Sequence, residues 1–348
     1  MEQHGHECVG FCEIDKFARE SYKAIHNTEG EEEWHDITKV SDEHIRSLRG
    51  RVDVICGGFP CQAFSVAGKR GGFDDARGTL FFEIARIANI LKPRYLFLEN
   101  VKGLLNHNSG ATFEVILRTL DELGYDAEWQ VLNSKNFGVP QNRERVFIVG
   151  YLRNGSTRKV FPVRRNDEQI NGVQGQSTNT ITARYEAGGS GSYVIEGKQH
   201  AQKEVRAVLT PEREEKRQNG RRFKEDGEPM FTLTSQDRHG IAIKEATKQG
   251  YKDAYPGDSV NLSLPNSETR RGRVGERIAN TLDTGCQQGT VTEELKIRKL
   301  TPKECFRLQG FPDSAFAKAA EVNSNSQLYK QAGNSVTVNV ISAIAERI

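Results

Sequence analysis

Along the first 150 residues the apolar positions change period repeatedly. Cys8–Asp15 (C-V-G-F-C-E-I-D) reads as a short strand ending in acids, and Lys16–His26 as a helix. Val52–Cys56 is a compact, mostly apolar run, the pattern of a strand buried on both faces. Thr79–Leu91 carries its apolar residues at helical spacing, and Lys92-Pro93 stops it. Tyr95–Leu98 is again strand-like and runs into Glu99-Asn100-Val101. Thr112–Leu123 is amphipathic and closed by Gly124, and Arg145–Tyr151 is a further strand. Strand and helix in alternation predict an α/β fold with a mostly parallel, doubly wound sheet.

After residue 150 the periodicity fades. Gly, Thr, Ser, Gln and Arg dominate, and three β-prone pieces look alike: Thr178–Tyr185, Met230–Gly240 and Ala279–Gly285. Their unequal spacing argues against a stacked repeat, so a small β-rich domain is expected. Glu212–Arg222 is a charge run suited to a solvated surface. At Leu300 the α/β pattern returns. Thr301 is placed to cap a helix that has Pro302 at its first position and ends at Gly310. Asn334–Ile348 reads as a last helix opening at Asn334-Ser335. The expected division is 1–150, an insert over 151–298, and a return to the first domain over 299–348.

Composition narrows the class. Hydrophobic residues make up 36% of the 348, and no apolar run approaches the roughly 18 residues that span a bilayer. The start, M-E-Q-H-G-H-E, has no signal-peptide pattern, and the six cysteines form no disulfide framework, so a cytoplasmic, reducing setting is expected. Net charge is only +2, yet residues 151–298 hold 25 Lys and Arg against 20 Asp and Glu. A basic insert on an acidic body suits contact with nucleic acid.

The candidate chemistry lies in V-D-V-I-C-G-G-F-P-C-Q-A-F-S, Val52–Ser65. Two glycines break the strand, and Phe59-Pro60 brings Cys61 to its carboxyl end, where open α/β sheets place their ligands. A cysteine there becomes a nucleophile if its surroundings favour the thiolate, although most free cysteines are simply buried.

Other stretches decide between the two. G-F-P-C-Q-A-F-S (58–65), E-N-V (99–101), Q-N-R-E-R (141–145), R-K-L-T-P-K-E-C-F-R-L-Q-G-F-P (298–312) and Q-A-G-N-S-V (331–336), in this order and at these separations, resemble the DNA (cytosine-5) methyltransferases. The resemblance implies an S-adenosylmethionine-dependent, Rossmann-like methyltransferase sheet, with the insert as target recognition domain. It also implies methyl transfer to carbon 5 of a cytosine in a specific double-stranded DNA sequence. Carbon 5 is too electron-poor to attack the methyl donor unaided. A thiolate adding at carbon 6 makes it nucleophilic, and a carboxyl at ring nitrogen 3 eases that addition.

By this resemblance Cys61 is the nucleophile and Glu99 the carboxyl. Arg145 lies on the O2 edge of the base, and Arg143 supports Cys61 and the phosphate. The family often has a basic residue where Asn142 stands. The target base must be flipped out of the duplex. The glycine-rich stretch 63–77, with Ser65, Lys69 and Arg77, is similar to the family's mobile DNA-closing loop. Glu13, Ile14, Asp36, Ile37, Gly58, Pro60 and Leu80 are implied to line the cofactor cleft, with Asn334, Ser335 and Val336 closing it. Arg184, Tyr185, Gln236, Arg238 and Gln287 are candidate DNA readers, and Thr281-Leu282 resembles a Thr-aliphatic pair common in such domains. No metal is implied. The expected protein is a monomer, and a cognate restriction endonuclease is the partner open to it.

The family pattern also begins with a strand and a turn of the type D-L-F-x-G-x-G-G, and nothing like it precedes Cys8. That strand would lie between Cys8–Asp15 and Val52–Cys56, so two unpaired edges are expected. The chain is therefore expected to be misfolded or inactive, or to have its true start upstream. Two other functions remain open on sequence: a tRNA cytosine-C5 methyltransferase, disfavoured by the long insert, and an inactive, truncated DNA-binding fragment.

Overall fold

The computed structural model describes residues 1–60, 80–153, 160–163, 205–209, 239–264, 267, 269–293 and 295–348. Its central sheet has the order β3-β4-β7-β5, with β3 Val54–Gly58, β4 Tyr95–Val101, β5 Tyr125–Asn133 and β7 Glu144–Leu152. β3 and β4 are parallel, while β7 runs antiparallel to both β4 and β5. The expected mostly parallel sheet is corrected to a mixed one. The physical reason is the short link between β5 and β7, which suits antiparallel neighbours, whereas a parallel crossover needs about a dozen residues or more. That link holds β6 (Gln141–Asn142).

Helices cover both faces. On one, α3 (Leu80–Leu91) and α4 (Ala111–Glu122) bury Phe81, Ile84, Ile116 and Leu120 against Leu96 and Ile148. On the other, the last helix sets Val340 and Ile344 against Phe97, Phe147 and Val149, with Met1 packed alongside. This is the three-layer α/β architecture. The buried strand positions are Leu, Phe, Ile and Val almost without break, which is why β4 and β7 are legible as apolar runs.

β1 (Gly10–Cys12) and β2 (Glu32–Trp34) form a separate parallel pair. Between them runs α1 (Lys16–Ile25), whose first amides are capped by Asp15. α2 (Asp42–Ser47) follows, capped by Ser41. Among the described residues β1 does not pair with β3.

In the insert, β8 (Val205–Leu209), β9 (His239–Lys244) and β10 (Tyr251–Ala254) make one antiparallel sheet. β11 (Ser259–Asn261), β12 (Val274–Gly275), β14 (Gln288–Val291) and β15 (Ile297–Lys299) make another. β13 (Ala279–Asn280) leaves both and pairs in parallel with β6. The look-alike pieces 178–185 and 230–238 and the charge run 212–222 lie outside the described residues.

The return segment holds α5 (Pro302–Leu308), with Thr301 and Glu304 forming a reciprocal capping box. α6 (Asp313–Val322), α7 (Asn325–Asn334) and α8 (Val338–Ala345) complete the chain. The last helix thus starts four residues later than its apolar pattern suggests. Asn334 closes α7, and Ser335 is extended at φ −68° and ψ 158°, because the backbone must turn there.

Candidate active site

The carboxyl ends of two parallel strands meet on one side of the central sheet. β3 delivers Gly58-Phe59-Pro60, β4 delivers Glu99, and Gly58 lies directly opposite Glu99 in register. A Cβ on Gly58 would sit 3.3 Å from Glu99 Oε2, so the glycine leaves the carboxylate uncovered. Cys61 follows immediately but lies outside the described residues, as do Ser65, Lys69 and Arg77.

The Glu99 carboxylate accepts from Arg145 Nε at 2.9 Å, with side chains only 19% and 16% exposed. Burial pushes the Glu99 carboxyl up, while the positive charges of Arg145 and Arg143 pull it back. Burial is likewise the main influence lowering Arg145. The site therefore holds a carboxyl that keeps its proton more readily than an exposed glutamate, beside a donor fork.

Arg143 is placed differently. It is 3% exposed, and burial pushes it down to about 10. Its two terminal nitrogens donate to three backbone oxygens: Leu282 at 3.0 Å, Gly333 at 3.0 Å and Ser335 at 2.8 Å. Its Nε has no partner among the described residues. The two arginines thus divide their work, with Arg145 meeting Glu99 and Arg143 tying the insert to the end of α7.

Several supporting residues, Thr281 apart, carry no functional signal of their own in the sequence. Asn100, 3% exposed, donates from Nδ2 to Phe59 O at 2.6 Å and so fixes the turn before Cys61. Gln141, fully buried, donates to Leu308 O at 2.8 Å and accepts from Leu282 N at 3.3 Å. Thr281 Oγ1 donates to Asn142 O at 2.7 Å. Gly333 packs so tightly on the insert that a Cβ would meet Asp283 O at 2.2 Å. The signal that could have found them is the clustering of Gln, Asn and Gly inside motifs whose charges draw the eye first. Asn100→Ala is expected to lower kcat about tenfold with little change in the KM for DNA, since one buried hydrogen bond contributes about 0.5–1.5 kcal/mol. Steady-state kinetics on a duplex substrate would check this, and a change confined to KM would contradict it.

The remaining sequence candidates are spread over several elements. Glu13 follows β1 and accepts from Asp15 N at 2.7 Å through Oε1. Ile14 is 73% exposed. Asp36 follows β2, accepts from Thr38 N at 3.1 Å and Thr38 Oγ1 at 2.7 Å, and these bonds lower its carboxyl. Ile37 packs into the core, while Pro60 and Leu80 are exposed. Asn334 is exposed, and Ser335 and Val336 are half-buried. Gln287 is exposed in the insert, whereas Arg184, Tyr185, Gln236 and Arg238 lie outside the described residues.

Comparison with known proteins decides what this geometry serves. The family model for C-5 cytosine-specific DNA methylases matches residues 1–348. The chain belongs to that family. It is 34% identical to the orphan methyltransferase M.SPRI of Bacillus phage SPR, over 99% of this chain and 92% of the relative. It is 35% identical to the type II methyltransferase M.HpaII of Haemophilus parainfluenzae, over 100% of this chain and 84% of the relative. The crystal structure of the S. pombe Dnmt2 methyltransferase shares the fold at a TM-score of 0.54 and 15% identity, over 98% of this chain and 89% of that one. The chain is thus a DNA cytosine-5 methyltransferase on a Rossmann-like methyltransferase sheet, the reading that the sequence placed ahead of tRNA. Among the described residues of this methylase, no group of three or more His, Cys, Asp or Glu could hold a metal, and no helix is long and apolar enough to cross a membrane.

Proposed function

We propose that Cys61 is the nucleophile, adding through its sulfur to carbon 6 of a cytosine flipped from a specific double-stranded sequence. The observation that carries this is the largely buried Glu99–Arg145 pair facing Gly58, three residues before Cys61. As the sulfur–carbon bond forms, the ring's double-bond electrons move toward carbon 5, and Glu99 offers its proton or a hydrogen bond at nitrogen 3. Arg145 holds the carboxyl in place and faces the O2 edge. After carbon 5 has gained the methyl group it loses its proton to a base, and the returning electrons expel the Cys61 thiolate.

S-Adenosylmethionine, the donor we infer, supplies an electrophilic methyl group. The strand ends fit it: Ile14 offers an exposed aliphatic face to an adenine ring, and Glu13 retains one carboxylate oxygen for ribose hydroxyls. Ile37, Gly58, Pro60 and Leu80 would continue that wall, and Asp36 would meet the adenine edge. Asn334, Ser335 and Val336 would close it. Ser65, Lys69 and Arg77 would meet phosphates from the loop after Cys61. Thr281, held on Asn142, would sit beside the flipped nucleotide. Residues 1–150 and 299–348 form the catalytic unit in this reading, and 151–298 read the sequence, with Arg184, Arg238 and their neighbours among the readers. We further infer a cytoplasmic monomer, with a restriction endonuclease of the same site as the partner open to it.

Glu99→Gln is the test. The amide keeps the shape and a donor but cannot give up a proton, so methyl transfer is expected to fall about a hundredfold. The sign of the pH dependence follows from the raised carboxyl. Wild-type turnover should decline as pH rises through the Glu99 pKa, because the proton is lost, and the glutamine variant should lack that limb. A profile unchanged by the substitution would refute the role.

A further inference from the structure

Cys61 is one of six cysteines in the chain. Two others meet where the insert joins the return segment. Cys286 lies just before β14 and Cys305 within α5. Both are free thiols, both are fully buried, and they share one core cluster with Leu282, Leu308 and Leu328. The two thiols are hydrogen-bonded to each other, with Cys305 donating to Cys286.

The Cys286 sulfur is fixed from several sides. Its Sγ is 3.2 Å from Asp283 O and 3.2 Å from Tyr329 O, two acceptors for one hydrogen. Its backbone has φ 42°, a conformation that glycine adopts freely and cysteine does not. A strained backbone therefore aims this sulfur at a second one. The Lys299 ammonium stands close by, donating to Gly285 O at 3.3 Å and lying 4.4 Å from the centre of the Tyr329 ring. The bond from Cys305 lowers the Cys286 thiol; burial opposes this, and the charge of Lys299 adds to it. The cover over the pair is thin. Asp283, Thr284, Gly285 and Gln287 are all exposed, so local opening of this one turn uncovers the sulfur to a small solute.

We propose that Cys286 and Cys305 form a dithiol site that a hydroperoxide closes to a disulfide, tying the insert to α5 and slowing methyl transfer reversibly. The Cys286 thiolate attacks one peroxide oxygen, the oxygen–oxygen bond breaks, and a sulfenic acid and water are formed. The Cys305 sulfur then attacks the Cys286 sulfur and a second water leaves. The dithiol loses two electrons and two protons in all, and the peroxide is reduced. The joined sulfurs stand about 2.0 Å apart, closer than a hydrogen-bonded pair, and the hydrogen offered to Asp283 O and Tyr329 O is gone. The turn is drawn toward α5. Its neighbours Leu282 and Asp283 rest on Arg143 and Gly333, so the shift reaches the catalytic motif.

The test treats the reduced full chain with hydrogen peroxide, blocks the remaining thiols, digests with trypsin without reductant and maps the peptides by mass spectrometry. Peptides 278–296 and 304–307, which carry Cys286 and Cys305, are expected to appear joined. Methyl transfer to duplex DNA is measured before oxidation, after it, and after dithiothreitol. Oxidised wild type is expected to run about tenfold slower than C305A treated identically, since a misplacement of about 1 Å far from the chemistry can cost that much. Dithiothreitol should close the gap. Oxidation of Cys61 falls on both proteins alike, so their ratio reports the pair. Should C305A fail to fold, C286S gives the same ratio, and the peptide map needs no variant. Cys286 and Cys305 recovered unlinked after oxidation would overturn the proposal. A linked pair with the ratio unchanged would overturn it as well.

Discussion

Serine in place of Cys61 is expected to lower methyl transfer by at least about 10⁴-fold and to abolish the covalent adduct with duplex DNA carrying 5-fluorocytosine at the target. The size follows from what the sulfur must do. At neutral pH a hydroxyl is almost never ionised, whereas a thiol has a usable thiolate fraction and is intrinsically far more nucleophilic. The turn that delivers the residue would be unaffected, because Asn100 fixes it through the backbone of Phe59. Glu99 and Arg145 would also remain paired. The variant should therefore still bind DNA, and the loss should fall on kcat. Fluorine at carbon 5 blocks the final proton loss, so wild-type protein accumulates a complex that survives denaturation. An adduct formed by the serine variant, or a loss confined to KM, would remove covalent catalysis from the mechanism.

The site is legible where chemistry demands unusual residue types at fixed separations. Cys61 after Gly58-Phe59-Pro60, Glu99 before Asn100, and Arg145 in an extended strand each stand out. The fold is legible where burial is one-dimensional: β4 and β7 are apolar runs, and α3 and α4 carry helical stripes. β5 escapes the pattern because Tyr125–Asn133 is an edge strand in which Asp126, Glu128 and Gln130 alternate with apolar residues, a weak signal between stronger ones. The direction of β7 escapes it because strand polarity is set by the link before it, not by its own residues. The break at Ser335 is hidden because the pull there is tertiary: Arg143 holds Ser335 O. Charge alone does not show that Arg143 and the arginines of the 270–273 stretch hold backbone carbonyls, because no sequence pattern distinguishes such struts from ligand-binding arginines.

Arg143→Met is expected to cost about 3 kcal/mol of stability and to loosen the junction between insert and catalytic sheet. Two buried carbonyls, those of Leu282 and Gly333, and the half-buried carbonyl of Ser335 would lose their donor. At about 1–3 kcal/mol for each buried group left unsatisfied, and less for the half-buried one, the gross loss is roughly 3–7 kcal/mol. Against it stands the relief of no longer burying a charge, a cost visible in the lowering of Arg143 to about 10. The balance therefore falls near the lower end. Lysine should not rescue, because one ammonium cannot span three acceptors reached by two guanidinium nitrogens. Hydrogen exchange should show where the loss is spent. Amides of 281–284, which rest on Gly333 with room for no added Cβ, should exchange faster, while those of β4 and β7 keep their protection. If the variant melted like wild type with 281–284 still protected, Arg143 would be free to act on substrate instead, and the strut would be the wrong description of it.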